Sequence, residues 1–134
     1  MKIADALRYL GALATLVVGA VHLQQYADFI SDVPTIGVLF LLNGVAAGVV
    51  AVLLATGRAS LGALGGIAVS AGALVSLAIS MTDAGLFDYV EPGFRVPITI
   101  AVVAEAAAVA LLAAYLVLRR APNPARVDWS TVQR

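Results

Sequence analysis

Cysteine is absent from this chain, and histidine and charged residues are scarce. The lack of cysteine excludes disulfides, thiol nucleophiles and cysteine-ligated metal clusters. With a single histidine, and with Met1 and Met81 as the two methionines, we expect neither a haem held by two axial ligands of this chain nor a catalytic zinc ion. Charged residues make up 12% of the 134 residues and hydrophobic residues 62%, whereas about a quarter of a soluble domain is charged. We therefore expect the chain to be solvated mainly by lipid, with no metal and no cofactor.

Long apolar runs fill most of the chain. A membrane-spanning helix needs about 20 apolar residues, and four such runs lie at about 7–24, 35–56, 61–81 and 97–118. The connections at 24–33, 57–60 and 82–97 hold most of the remaining polar residues. We predict an all-α fold, a four-helix transmembrane bundle of two antiparallel hairpins over residues 1–121, followed by a cytoplasmic tail at 122–134.

Basic residues are distributed unevenly between the two sides of this bundle. Seven of the eight fall on the side of the chain termini: Lys2, Arg8, Arg58, Arg119, Arg120, Arg126 and Arg134. The opposite side has Arg95 among five acidic residues: Asp28, Asp32, Asp83, Asp88 and Glu91. Because short cytoplasmic loops are enriched in lysine and arginine, we expect both termini in the cytoplasm. A single lysine and abundant alanine, valine, glycine and leucine point to a GC-rich bacterial genome, hence to a bacterial cytoplasmic (inner) membrane.

Small residues are spaced so that helices could approach closely. In lipid, helices associate through backbone contact and hydrogen bonds rather than through exclusion of water. Gly44 and Gly48 in the second run, and Gly62 and Gly66 in the third, are four residues apart, and Gly72 continues the face of the third run. We expect these five glycines to lie at helix contacts, either within the chain or with another subunit.

A small set of polar side chains falls within or beside the apolar runs. An ionisable group at the centre of a span costs at least about 2.5 kcal/mol on insertion scales, so it usually faces protein or water. Helical spacing places several such residues on inward stripes. We predict an outward-opening polar cluster, ligand-binding or proton-linked, formed by His22, Asn43, Glu105, Asp83, Ser76, Ser80, Tyr26 and Gln25.

Structural roles for the same residues remain open. Burial disfavours the charged form of a carboxyl group, so Glu105 could be a neutral acid bonded to Asn43 or to a backbone carbonyl. His22 could simply be an amphipathic ring near the interface, and Asp83 a solvated helix end. The tail, with its arginines and Trp129, could rest on anionic headgroups or extend freely.

Two segments carry a resemblance to known proteins. They are Gly19-Ala20-Val21-His22-Leu23 and the run from Pro34 to Gly48, PTIGVLFLLNGVAAG. Here the chain resembles small four-helix membrane proteins of actinobacterial type that have no assigned activity, and more loosely the DoxX-like group. The resemblance implies a four-helix fold. It provides no catalytic residue. DoxX-like proteins are associated with quinone-linked or redox partners, but this chain lacks the cysteines and paired histidines that would support redox chemistry of its own.

Three classes of function are compatible with these observations. The first is a non-catalytic accessory or scaffold protein that packs with itself, as a homo-oligomer, or with a larger membrane complex. The second is a small ligand-binding or proton-coupled transport component that uses Glu105, Asn43 and His22. The third is a membrane enzyme acting on a lipid or quinone, in which His22 and Asp83 act together as the general base. No nucleophile motif or phosphate-binding loop is present. Because there is no basic patch outside the tail, we do not expect nucleic acid as a partner. The apolar runs make the lipid bilayer the expected partner.

Overall fold

The computed structural model describes residues 2–120, so the predicted tail with Trp129 lies outside the described residues. Four long helices make up this part of the chain: α1 (Ile3–Gln25), α2 (Ile36–Ala55), α3 (Ala59–Ser80) and α4 (Val96–Arg120). All four are long and apolar enough to cross a membrane, and the described residues contain no β-strand. The predicted fold class is confirmed, and the chain is a multi-pass membrane protein.

The first helix is longer than its apolar run. It begins at Ile3, where Asp5 in the first turn suits the positive end of the helix dipole, and continues past Gln25 as a π-helical turn, Tyr26–Ile30. The backbone N–H of Ser31 donates to the carbonyl of Tyr26. We expected a loop at 24–33, but no glycine or proline interrupts the helix before Pro34. The other helix bounds differ from the expected runs by one or two residues.

The helices are packed in chain order around the bundle, and α4 closes the ring against α1. Gly11 in the first half of α1 lies against Leu112 in the second half of α4. Arg119 of α4 donates a hydrogen bond to the hydroxyl of Ser60 at the start of α3. Neighbouring helices are therefore antiparallel, and the described chain begins and ends at the same end of the bundle.

A hydrophobic cluster fills this end of the bundle, which we call the packed end. Its buried members are Val50, Leu54, Ala59, Ala63, Leu112 and Tyr115. Helices α2 and α3 approach closely here, because a Cβ atom on Gly62 would lie 2.8 Å from the backbone nitrogen of Leu54. Such contact is possible only for glycine, and it fixes the apex of the α2–α3 hairpin.

The predicted packing glycines divide into two groups. Gly44 lies against the Leu23 side chain of α1, and Gly62 and Gly66 lie against α2, with Gly66 also touching α4. Gly48 and Gly72, by contrast, have open space where a Cβ atom would be. Helix contacts inside the chain therefore use Gly44, Gly62 and Gly66 but not Gly48 or Gly72.

The connection between α3 and α4 folds back over the opposite end of the bundle, which we call the open end. Leu86 and Tyr89 exchange backbone hydrogen bonds, and the N–H of Glu91 donates to the carbonyl of Ser80. Gly85 has a φ of +64°, and a Cβ atom there would lie 2.6 Å from the Tyr89 carbonyl oxygen. The connection is thus a fixed cover rather than an extended loop.

Candidate functional site

A cavity of about 360 Å³ lies at the open end, mainly between α2 and α3. Most of its wall is apolar, from residues such as Leu39, Ala46, Val69 and Leu77. The polar part of its lining is His22, Asn43, Ser76, Ser80, Tyr89 and Glu91. Apolar walls with a few convergent polar groups are typical of small-molecule sites.

The cavity exists because α2 and α3 diverge with distance from the hairpin that joins them. Near the hairpin, a Cβ atom on Gly62 would press on backbone, and one on Gly65 would lie 3.2 Å from Val50. Further along α3, Gly72 lines the cavity and has no neighbour within 4 Å of its Cβ position. Gly72 is exposed, and so is Leu42 on the facing helix, which is 57% exposed. The cavity therefore opens sideways, onto the lipid-facing surface of the bundle.

Behind the cavity wall lies a smaller chamber of about 40 Å³ that contains Glu105. Four residues line both spaces and so form the partition between them: His22, Phe40, Leu77 and Ile98. The His22 and Phe40 rings are in contact, with centroids 4.8 Å apart. Only side chains of this partition separate the cavity from the carboxyl group.

The geometry of His22 fixes which nitrogen faces the chamber. Its Nδ1 is 2.9 Å from the carbonyl oxygen of Val18, and a carbonyl only accepts, so Nδ1 carries a hydrogen. Its Nε2 lies 3.9 Å from Oε1 of Glu105. That distance is too long for a direct hydrogen bond. The neutral ring therefore presents an Nε2 lone pair toward the carboxyl group.

Glu105 itself is almost fully buried, with 2% of its surface exposed. Its Oε2 has no hydrogen-bond partner, and neither does Oδ1 of Asn43 in the cavity wall. Gln25, which also lines the chamber, leaves its Nε2 donor unpaired. Buried polar atoms normally have partners, so these three atoms are free to bond a ligand or water; Nε of Arg8 and Oγ of Ser70, away from the chamber, are also unpaired.

A second polar network covers the cavity at the open end. Arg95 donates to both carboxylate oxygens of Glu91, at 3.4 and 3.3 Å, and to Oε1 of Gln25 at 2.7 Å. The Tyr89 hydroxyl donates to Glu91 at 2.9 Å. Burial, and then the adjacent Glu91 carboxylate, raise the pKa of the Tyr89 hydroxyl, which therefore stays a donor at neutral pH. The network ties the connection to α1.

The expected polar cluster is brought together in part. His22, Asn43, Ser76 and Ser80 line the cavity, while Gln25 and Glu105 line the chamber behind it. Tyr26 lies in the π-helical turn and lines neither space, and Asp83 is exposed in the connection after α3. The carboxyl group within 4 Å of His22 is that of Glu105, not of Asp83.

Three residues of the site were not among the expected ones: Tyr89, Glu91 and Arg95. Their sequence signal was weak, because Glu91 and Arg95 stand in a connection with Pro92 and Gly93, where charged residues are usually solvated. A spacing of four between opposite charges hinted at the pair, but nothing in the sequence indicated the bond to Gln25.

Within residues 2–120, no three potential ligands among histidine, aspartate and glutamate side chains converge as a metal site would require. Comparison with known proteins adds nothing to this geometry. No protein-family model, curated protein or solved structure matches the chain. The resemblance to actinobacterial-type and DoxX-like proteins stays a prediction.

Proposed function

We propose that this chain is a multi-pass protein of the bacterial cytoplasmic membrane that binds an amphipathic small molecule, taken from the bilayer, in the cavity between α2 and α3. The cavity carries the proposal. Its volume of about 360 Å³ falls within the range of small-molecule pockets, roughly 300–1,000 Å³. Its apolar wall suits a hydrocarbon tail, and its polar groups near His22 and Asn43 suit a head group.

The sideways opening supports a ligand that arrives through lipid. Gly72 leaves a gap in the wall formed by α3. The exposed side chains of Leu39 and Leu42 lie at the rim of the wall formed by α2. The network of Glu91, Arg95 and Gln25 covers the end of the cavity that would face water. A molecule partitioned into the bilayer would thus have a shorter route than one in solution.

The distribution of basic residues supports an orientation in which this cavity lies in the outer half of the membrane. Among the described lysines and arginines, all but Arg95 lie at the packed end: Lys2, Arg8, Arg58, Arg119 and Arg120. By the enrichment of basic residues on the cytoplasmic side, the packed end is cytoplasmic. The acidic open end then faces outward.

The other two expected functions have less support. The accessory-protein hypothesis rested partly on glycine faces, and Gly44, Gly62 and Gly66 are used within the chain. It remains a prediction, as does association with itself or a larger complex. The enzyme hypothesis relied on His22 and Asp83, which do not meet.

Photolabelling tests the binding function directly. We would add a phenylbutanol analogue that carries a diazirine to protein in lipid nanodiscs, irradiate it, and map the labelled residues by mass spectrometry. We expect label on cavity residues of α2 and α3, such as Asn43 and Ala73. Gly72→Leu, which fills the cavity, should reduce this labelling several-fold.

Gly48→Leu provides a matched control. Gly48 is also a helical glycine with open space around its Cβ position, but it does not line the cavity. Labelling should be unchanged in this variant. Label spread evenly over lipid-exposed residues, and unaffected by Gly72→Leu, would contradict the proposed function.

A further inference from the structure

The buried carboxyl group of Glu105 has no stable counterion in the part of the chain that the structure describes. The basic side chain within 4 Å of it is His22, and Arg95 is already bonded to Glu91 and Gln25. Helices α2 and α3 contain no ionisable residue at all. A buried charge without a partner is strongly destabilising, so the Glu105–His22 pair must hold a proton when no ligand is bound.

The Glu105–His22 pair holds one exchangeable proton whichever of the two residues carries that proton. If Glu105 is neutral, His22 is neutral too and offers its Nε2 lone pair. If His22 is charged, Glu105 is ionised, and the pair still holds one exchangeable proton. The nearby titratable groups outside the helices, Glu91 and Tyr89, are engaged with each other and with Arg95. The pair is thus a separate proton-binding unit.

The unpaired oxygens of the site call for a donor. Oε2 of Glu105 and Oδ1 of Asn43 both lack hydrogen-bond partners, and both are acceptors once Glu105 has lost its proton. An ammonium group is a pure donor and brings the positive charge that an ionised Glu105 needs. It can also rest against the Phe40 ring in the partition, as cations do on aromatic faces.

The surroundings of the site favour a cation as well. Four exposed aspartates surround the open end: Asp28, Asp32, Asp83 and Asp88. Their field would raise the local concentration of positively charged molecules. The apolar cavity in front of the partition would take the hydrocarbon part of such a molecule.

We propose that Glu105 and His22 form an exchange site, at which the ammonium group of an amphipathic amine replaces the proton held by the pair. The amine enters the cavity as R–NH₃⁺, the His22 and Phe40 side chains turn aside, and an ion pair forms with the Glu105 carboxylate. For each amine bound, the O–H bond of Glu105 or the Nε2–H bond of His22 breaks and its proton passes to water, while no bond between heavy atoms forms or breaks. This inference rests on the proposed function and specifies its ligand class.

Calorimetry with two matched probes tests the exchange. Phenylbutylamine is charged at neutral pH, and phenylbutanol has nearly the same size without the charge. Each would be titrated into protein in micelles, in two buffers of different ionisation enthalpy, with titrations into empty micelles subtracted. We expect the amine to bind at least about tenfold more tightly, as close charge pairs in buried interfaces do, and to release about one proton.

Glu105→Gln keeps the size of the side chain but cannot exchange a proton. In this variant, proton release should vanish and the preference for the amine should fall to the level of the alcohol. Asp83→Asn, which removes an exposed carboxylate at the same end, should leave proton release intact. If Glu105→Gln does not fold, the comparison of the two probes on the unmodified protein still decides.

The outcomes separate the two proposals. Equal binding of both probes without proton release would overturn the exchange site but leave ligand binding in place. Failure of both probes to bind saturably would overturn the proposed function, and the exchange site with it. Proton release that persists in Glu105→Gln would remove Glu105 from the site.

Discussion

The two ends of this bundle are built in opposite ways. At the packed end, a hydrophobic cluster around Leu54 and Leu112 is buried, and α3 meets the backbone of α2 at Gly62. At the open end, the same two helices stand apart around a cavity whose wall contains the unpaired Oδ1 of Asn43, with the buried Glu105 behind the partition. The difference indicates that one half of α2 and of α3 provides close packing and the other half provides the walls of the cavity.

The amino acids of α3 show how one helix serves both ends. Its first half carries Gly62 and Gly66, which allow contact with α2, and its second half carries Ser76 and Ser80. Gly72 stands between these halves, at the point where the helices have separated. A glycine in the first half therefore brings helices together, whereas the glycine at the cavity leaves a gap.

The largest expected effect of a mutation lies at the packed end. Leu112 is fully buried and touches Gly11 of α1 and Gly66 of α3. Leu112→Ala should lower the free energy of unfolding by about 3 kcal/mol, the usual cost of a large cavity. Leu42→Ala, at an exposed position by the open end, should cost well under 1 kcal/mol by the norm for surface substitutions. Unfolding in mixed micelles measures both losses. Equal losses would contradict the difference in packing between the two ends.

A smaller effect is expected where the network covers the open end. Arg95→Gln leaves the Glu91 carboxylate buried without its cation and breaks the bond to Gln25. We expect a loss of about 2 kcal/mol, reduced from that of a fully buried pair because Arg95 is partly exposed. Hydrogen exchange should increase in the connection between α3 and α4 but not at the packed end.

The double variant Glu91→Gln with Arg95→Gln provides the control for charge. It removes both members of the pair, so part of the lost stability and protection should return. A double variant as unstable as Arg95→Gln alone would mean that the bond to Gln25, rather than the unpaired carboxylate, accounts for the loss.

The fold could be predicted from the sequence because each span is a continuous apolar run, whereas the site could be predicted only in part. His22, Asn43 and Glu105 were identifiable because polar residues in a span must face protein or water. Asp83 was misleading, since helical spacing from Ser76 and Ser80 placed it on their face, but α3 ends at Ser80. The bond from Arg95 to Gln25 joins residues 70 positions apart, and it depends on helix rotation that no local pattern specifies.

The smallest expected effect on stability belongs to the variant that fills the cavity. Gly72→Leu places a side chain in open space, and leucine is favoured over glycine within a helix by up to about 1 kcal/mol. Stability should therefore stay the same or rise slightly, and Gly48→Leu should behave alike. A clear loss in Gly72→Leu alone would mean that α2 and α3 close on each other at the open end in the membrane. The cavity would then be a transient opening, and ligand binding would have to compete with helix contact.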